Sequence, residues 1–389
     1  MTFNFIDLRK NDYIFLLIVS VLFLAINIAL WSFLGWRTGS DTGMYLKGAD
    51  YLIKGQSLSA VSYAHFGYIQ IVALIKILGM KINAIYFFQI FLSLIACYAA
   101  YCLGRVYSVF VAQICGIFWS INGFHFFWNY YILTESIFAS LIIITMAFYS
   151  YGLNGNKRAY VLALASIVIL SSIRVNGFLY GSALLVCSVI LEKKVSYRII
   201  CFVLLILIIG FLPTSPFALI LLKIPSSEQP LLKYILDFTV GGEVNWHTVI
   251  IPMPKFIQTS DDYLFELLRY CFQYPFEVLN LCAQRVVNLL INYNPHFSTT
   301  HKVFNIVFFG SYHLFAIIGF VELLKKNIKV KAIAVIPLIQ ILYVAMTTND
   351  YDGRYLLYTL TGELLFFAVG LAFLYTKGRD IIKLRMTIF

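Results

Sequence analysis

Charge is what this sequence has least of. Only 12% of its 389 residues are Asp, Glu, Lys or Arg, and 61% are hydrophobic, with a mean hydropathy of +0.85. A water-soluble domain carries roughly 25% charged residues, so the chain has half the charge it needs to cover itself in water. A set of soluble domains, which the length alone permits, is thereby excluded. No small-residue cleavage site follows the first apolar run, Tyr13 to Leu34, which is longer than a signal-peptide core and reads as a retained first span. No fixed-period repeat or low-complexity segment occurs. The seven cysteines supply no disulfide framework. Five lie in apolar runs, where a thiol acts as a small hydrophobe. Cys271 and Cys282, if on one helix, stand roughly 16 Å apart, too far to bond.

What is present is a series of long apolar runs. The expected fold is an all-α polytopic membrane protein with about ten spans, near 13–34, 84–103, 108–128, 134–152, 159–173, 176–191, 199–222, 303–324, 331–347 and 355–376. One more stretch, Tyr63 to Met80, holds His65, Gln70 and Lys76 and is either a span or an interfacial helix. The positive-inside rule decides. With 63–80 outside the bilayer, 16 basic residues fall on the cytoplasmic side and two, Arg174 and Arg354, in short outer loops. The net charge of +11 is therefore a topology signal and not a nucleic-acid footprint. Both termini are expected in the cytoplasm of what is expected to be a bacterial inner membrane. Three parts follow: an N-terminal membrane module, 1–222, with a first outer loop at 35–83; a large outer loop, 223–302; and C-terminal spans with a short tail, 303–389.

In the first outer loop, Ser40-Asp41-Thr42-Gly43 precedes an amphipathic stretch that Gly55 stops. It reads as a short helix capped by Ser40 or Asp41, with Lys47, Asp50 and Lys54 on one polar stripe. Taken alone, Asp41 here is as much a cap as a reactive group. Glu135 opens the fourth run, where a helix dipole favours an acid. Arg174 sits between two short apolar runs, as a buried cation or one that snorkels outward. Arg354 follows Asp350 and Asp352, so a surface ion pair is its plainest role. Glu363, well inside the last run, reads as structural or groove-lining. His296 and His301 are too poorly spaced for a metal, and the 223–302 loop is expected to carry an amphipathic helix from Asp261 to Tyr270.

Together these features resemble the GT-C glycosyltransferases: an acid just after the first span, Tyr45 four residues on, a short helix ending in Gly, and an apolar segment that need not cross. Thr134-Glu135 resembles the acidic motif of that superfamily, Ser172-Ile-Arg174-Val-Asn-Gly177 its Arg-containing turn, and Asp352-Gly-Arg354-Tyr355 its Arg-Tyr motif. Pro275-Phe-Glu-Val-Leu-Asn, with Arg285, also resembles a common segment. The likeness runs from about 13 to 376, through short motifs. It departs where relatives carry a second acid and an Arg; here those places hold Thr42 and Met44. The Pro-rich turn common before the interfacial segment is replaced by Tyr63-Ala-His65-Phe-Gly67.

The resemblance implies transfer of a sugar from a polyprenyl-phosphate donor to a lipid, glycan or protein hydroxyl, with Asp41 and then Glu135 as candidate catalytic acids. Tyr45, Lys47, Lys54, His65, Arg174, Arg354 and Tyr355 are then candidate substrate-binding residues. No metal ligands are assigned; the cofactor is unknown, a divalent ion being compatible but not required. Membrane lipids are expected partners and nucleic acid is not. A polysaccharide polymerase, and less closely a lipid-linked glycan flippase, are the alternatives; a flippase calls for mid-span polar residues and mirrored halves.

Overall fold

The computed structural model describes residues 9–191, 236–237, 239–241, 243–245, 248–293, 296–326, 329–347 and 353–388. The expected span 199–222 and the Asp350/Asp352 pair lie outside these. Helices dominate: α1 (Lys10–Leu34), α2 (Thr42–Ile53), α3 (Ala60–Tyr63), α4 (Phe66–Ile77), α5 (Ala84–Arg105), α6 (Val109–Ile121), α7 (Gly123–Trp128), α8 (Glu135–Leu153), α9 (Lys157–Ile173) and α10 (Val175–Leu191). A two-stranded antiparallel hairpin, β1 (Glu243–Asn245) and β2 (Thr248–Ile251), precedes α11 (Tyr263–Gln273), α12 (Pro275–Ile291) and α13 (Thr299–Lys325). A 3-10 turn (Lys329–Ala334) leads into α14 (Val335–Thr347), and α15 (Arg354–Ile388) ends the chain.

Five of these helices are long and apolar enough to cross a bilayer: Lys10–Leu34, Ala84–Arg105, Glu135–Leu153, Thr299–Lys325 and Arg354–Arg379. The protein is a helical membrane protein. Their burial sorts them. The apolar window of α8 is 94% buried and that of α15 89%, whereas those of α1 and α13 are each 28% buried. So α8 and α15 form the centre, and α1 and α13 turn apolar flanks outward to where lipid is the solvent.

Several sequence expectations shift. The run 108–128 is not one helix: Asn122 leaves the helical region and its side chain caps α7, accepting from the amides of Phe124 and His125. The ambiguous 63–80 stretch yields α4, only 12 residues and about 18 Å long, too short for a hydrocarbon core of roughly 30 Å. The expected Asp261–Tyr270 helix starts instead at Tyr263, with Asp262 as its cap, and extends to Gln273. Cys271 and Cys282 fall on two helices that part at Tyr274 and Pro275, and both are free thiols.

Small residues set the tightest contacts. Where α13 crosses α15, a Cβ built on Gly319 would sit 1.8 Å from the Phe366 carbonyl oxygen, and one on Gly370 1.9 Å from that of Phe315. The two backbones therefore touch. A Cβ on Gly67 would likewise meet Ser172, 2.2 Å from Oγ, which seats α4 against the end of α9.

Candidate functional site

The candidate residues come from four distant stretches, and polar groups in the loop between α7 and α8 bring them together. Gln89, buried on α5, donates to the carbonyls of Asn129 (3.1 Å) and Tyr131 (2.9 Å), and takes a hydrogen bond from Tyr68 (3.1 Å). Asn27, buried on α1, accepts from the Asn129 amide at 3.2 Å, and the Tyr130 hydroxyl donates to its carbonyl at 2.5 Å. Asn129 in turn accepts from Ser136. On the other side, the Arg37 amide donates to the Tyr130 carbonyl (2.8 Å), and the Thr42 hydroxyl donates to that of Ile132 (3.0 Å). Residues 37–42 are thus tied to residues 130–132. That places Asp41 beside Glu135.

Asp41 occupies the N-cap position of α2, but its side chain makes no capping hydrogen bond. Thr42, the first residue of α2, closes the turn ahead of the helix instead, its hydroxyl accepting from the Gly39 amide at 2.8 Å. The Asp41 carboxylate accepts from Arg354 at 3.0 Å and from Ser40 at 3.2 Å, and remains 40% exposed. Glu135 is 1% exposed and accepts from Arg174 at 2.8 Å; Arg354 approaches the same Oε1 at 3.8 Å. Two carboxylates and two guanidiniums thus form one cluster of zero net charge.

Arg174 owes its position to the break between α9 and α10, where it adopts extended φ and ψ of −152° and 155°. Its side chain points back into the protein and donates to Thr134 (3.0 Å) and Tyr358 (2.6 Å) as well as to Glu135. Its guanidinium carbon stands 5.8 Å from the Tyr355 ring centroid and 5.4 Å from that of Tyr358, so the snorkelling role is not taken. Arg354, the first residue of α15, lies 5.7 Å from the Trp128 ring centroid. The Trp128 indole N–H is buried with no partner among the described residues.

Tyr45 is buried edge-on to His65 (5.4 Å) and Tyr68 (4.8 Å). Burial, reinforced by the nearby Glu135 charge, pushes its hydroxyl above the usual tyrosine range. His65 stays neutral: burial and then the Arg174 charge push its ring down to about 3. Lys47, on α2, and Lys54, just past its end, are not drawn in; both are exposed. Asp50 on the same polar stripe pairs with Lys76 of α4 at 2.8 Å, which also caps the Leu46 carbonyl at 3.0 Å. Among the described residues, no group of three or more His, Cys, Asp or Glu is arranged to hold a metal ion. Glu363 lies apart, hydrogen-bonded to His313 at 2.6 Å, and the other ring nitrogen of His313 faces the Leu290 carbonyl at 3.0 Å.

Sequence reasoning named both acids and both arginines but missed Tyr358, Trp128, Gln89 and Asn129. For Tyr358 the signal was available: it follows Arg354 by four residues, one helical turn along the same face. The others are single polar side chains inside apolar runs, where nothing in the pattern marks a partner. The sequence matches no known protein family, and no curated protein matches it.

Proposed function

We propose that this protein is a membrane glycosyltransferase of the GT-C type, moving a sugar from a polyprenyl-phosphate donor to an acceptor hydroxyl on the extracytoplasmic face. The observation that carries this reading is the meeting of Asp41, Glu135, Arg174 and Arg354, which lie far apart in the chain. Asp41, exposed, is the general base: it takes the acceptor's proton as that oxygen attacks the anomeric carbon. The bond from the anomeric carbon to the phosphate oxygen breaks, and polyprenyl phosphate departs with the electron pair. Arg354 and Arg174, planar multi-donors, stabilise the charge that collects on that phosphate. Glu135, being buried, holds Arg174 in place. Tyr45, His65 and Tyr355 shape the walls, and Lys47 and Lys54 face the headgroups at the rim.

The ten-span arrangement, with both termini in the bacterial cytoplasm, belongs to this proposal. Two contacts support it: Asp12 lies 3.5 Å from Arg105, and Lys326 lies over the Tyr107 ring at 4.4 Å. All four residues fall at the end of the bundle that this topology places in the cytoplasm, opposite the acidic–arginine cluster. Cysteine labelling at positions 76 and 157 tests the topology; outside accessibility at 157 overturns it.

The test of function is incubation of the purified protein with polyprenyl-phosphate sugars and membrane extract, comparing wild type with Asp41→Asn. Transfer by wild type and not by the variant supports the assignment. Equal transfer by both removes Asp41 from the mechanism, and no transfer by either returns the polymerase and flippase readings.

A further inference from the structure

A cavity of about 550 Å³ lies between the α6–α7 break and the N-terminal half of α13, within the range typical of small-molecule sites. It adjoins a second one of about 290 Å³, with which it shares Phe118, Phe304 and Phe308. Between them they follow α13 from His301 to Tyr312, about 16 Å at 1.5 Å per residue. Phenylalanines dominate the walls. A long, narrow, apolar trough of this kind suits a hydrocarbon chain and not a sugar.

The polar end of the trough decides the head of that chain. Three amides line it: Asn122, Asn292 and Asn305. Asn305 is buried and committed, donating to the Asn292 backbone carbonyl at 3.0 Å. Asn292 is 7% exposed, and its side-chain oxygen has no hydrogen-bond partner among the described residues. A buried amide oxygen left without a partner costs free energy, so the position favours a ligand group that completes it. The backbone there is left-handed, φ 46°. Among the described residues no cation lines the trough apart from the ionisable ring of His301, which stacks on Phe297 at 4.0 Å. Lys302, next in sequence, is held over the Tyr293 ring at 5.2 Å. A phosphate head would find no guanidinium or ammonium among the described residues that line it.

We infer that this trough binds a single-chain lipid with an uncharged, hydroxyl-bearing head, the hydroxyl pairing with Asn292. A hydroxyl both donates and accepts, which matches an amide in either orientation. The wall of the trough packs against the residues around the charged cluster. A Cβ on Gly353 would sit 2.3 Å from the Phe124 ring, and Phe127 packs edge-on to Trp128, the ring beneath Arg354. Under the reading above this is where an acceptor's chain lies, but binding here does not depend on any transfer reaction.

The test uses the full chain in lipid nanodiscs and dodecyl photoprobes with hydroxyl, phosphate or ammonium heads, the labelled residues being identified by mass spectrometry. The hydroxyl probe is expected to label residues within 118–127 and 297–309, with dodecanol competing at least tenfold better than dodecyl phosphate. Asn292→Gly keeps the left-handed backbone and removes the amide; it weakens the hydroxyl probe by roughly tenfold, the effect of one buried hydrogen bond. Asn292→Asp keeps an acceptor, adds charge, and moves the preference to dodecylammonium. Equal competition by alcohol and phosphate overturns the inference, as does labelling spread evenly over the outer face of α1, or both Asn292 variants behaving as wild type. Because the readout is binding, it fails or succeeds separately from the sugar-transfer assay.

Discussion

Two carboxylate–arginine clusters stand at opposite ends of α1, and they are built from the same residue types to different ends. At the first, Asp12 is 5% exposed and both its oxygens are occupied. Oδ1 accepts from Tyr101 at 2.5 Å, while Oδ2 accepts from the Arg9 amide at 2.8 Å and lies 3.5 Å from Arg105. At the second, Asp41 keeps two-fifths of its side chain in solvent, while the buried acid, Glu135, is held by an arginine that is itself ringed by tyrosines. Composition does not separate these sites; accessibility does. A carboxylate whose lone pairs are all engaged joins helices, whereas one facing a gap is able to take a proton.

The largest effect that sharpens this contrast is on catalysis. Asp41→Asn is expected to lower sugar transfer by about 10²–10⁴-fold, the usual worth of a general base. The same change should shift the unfolding free energy by no more than about 1 kcal/mol, because its ion pair with Arg354 is half in water. Glu135→Gln should act mainly on stability, costing about 3–5 kcal/mol in denaturant unfolding, since it strands Arg174 in a buried site. Asp12→Asn should cost about 1–3 kcal/mol, leaving the Arg9 amide and Tyr101 poorly matched, yet leave transfer unchanged. A loss of transfer on Asp12→Asn with stability intact would erase the distinction between the two ends.

A smaller effect is set by pH. The His65 ring protonates near 3 in the folded protein and near 6.5 when unfolded, so the unfolded chain binds more protons between those values. The stability this ring contributes is complete above pH 6.5 and is lost as the medium is acidified toward pH 3. His65→Gln should flatten that part of the stability–pH curve. Smallest of all, Lys47→Ala and Lys54→Ala, on the exposed stripe of α2 and just past its end, should each change transfer less than about threefold; a surface cation contributes little alone.

The broad outline was legible because lipid imposes it. A scarcity of charge and long apolar runs identify a helical membrane protein, and the acids and arginines at run boundaries were singled out by that position together with the resemblance to GT-C enzymes. The finer breaks were not legible. Asn122 interrupts a run that is apolar on both sides, and only its side-chain cap, a local event, marks the end of α6. The plain reading of Asp41 as a helix cap failed for a related reason: its carboxylate makes no bond to the first turn of α2 and turns instead to a partner more than three hundred positions away. No window of sequence contains that pairing. Gln89 and Asn129 were missed because their role exists only once α5 and the α7–α8 loop have packed.

The meeting of Gly319 and Gly370 carries a last consequence for how the molecule can move. At that crossing main chain rests on main chain, while to either side of it Tyr312 stacks on Phe367 and Phe320 meets Phe366 edge-on, so the glycines are the point of closest approach. The pair can rock about that point, as on a fulcrum. Arg354 begins one arm of α15, sixteen residues ahead of Gly370, so a tilt of a few degrees at the glycines displaces the guanidinium while the pivot hardly shifts. Enlarging either glycine would therefore be felt first at the far tip of the lever, in the distance between Arg354 and Asp41.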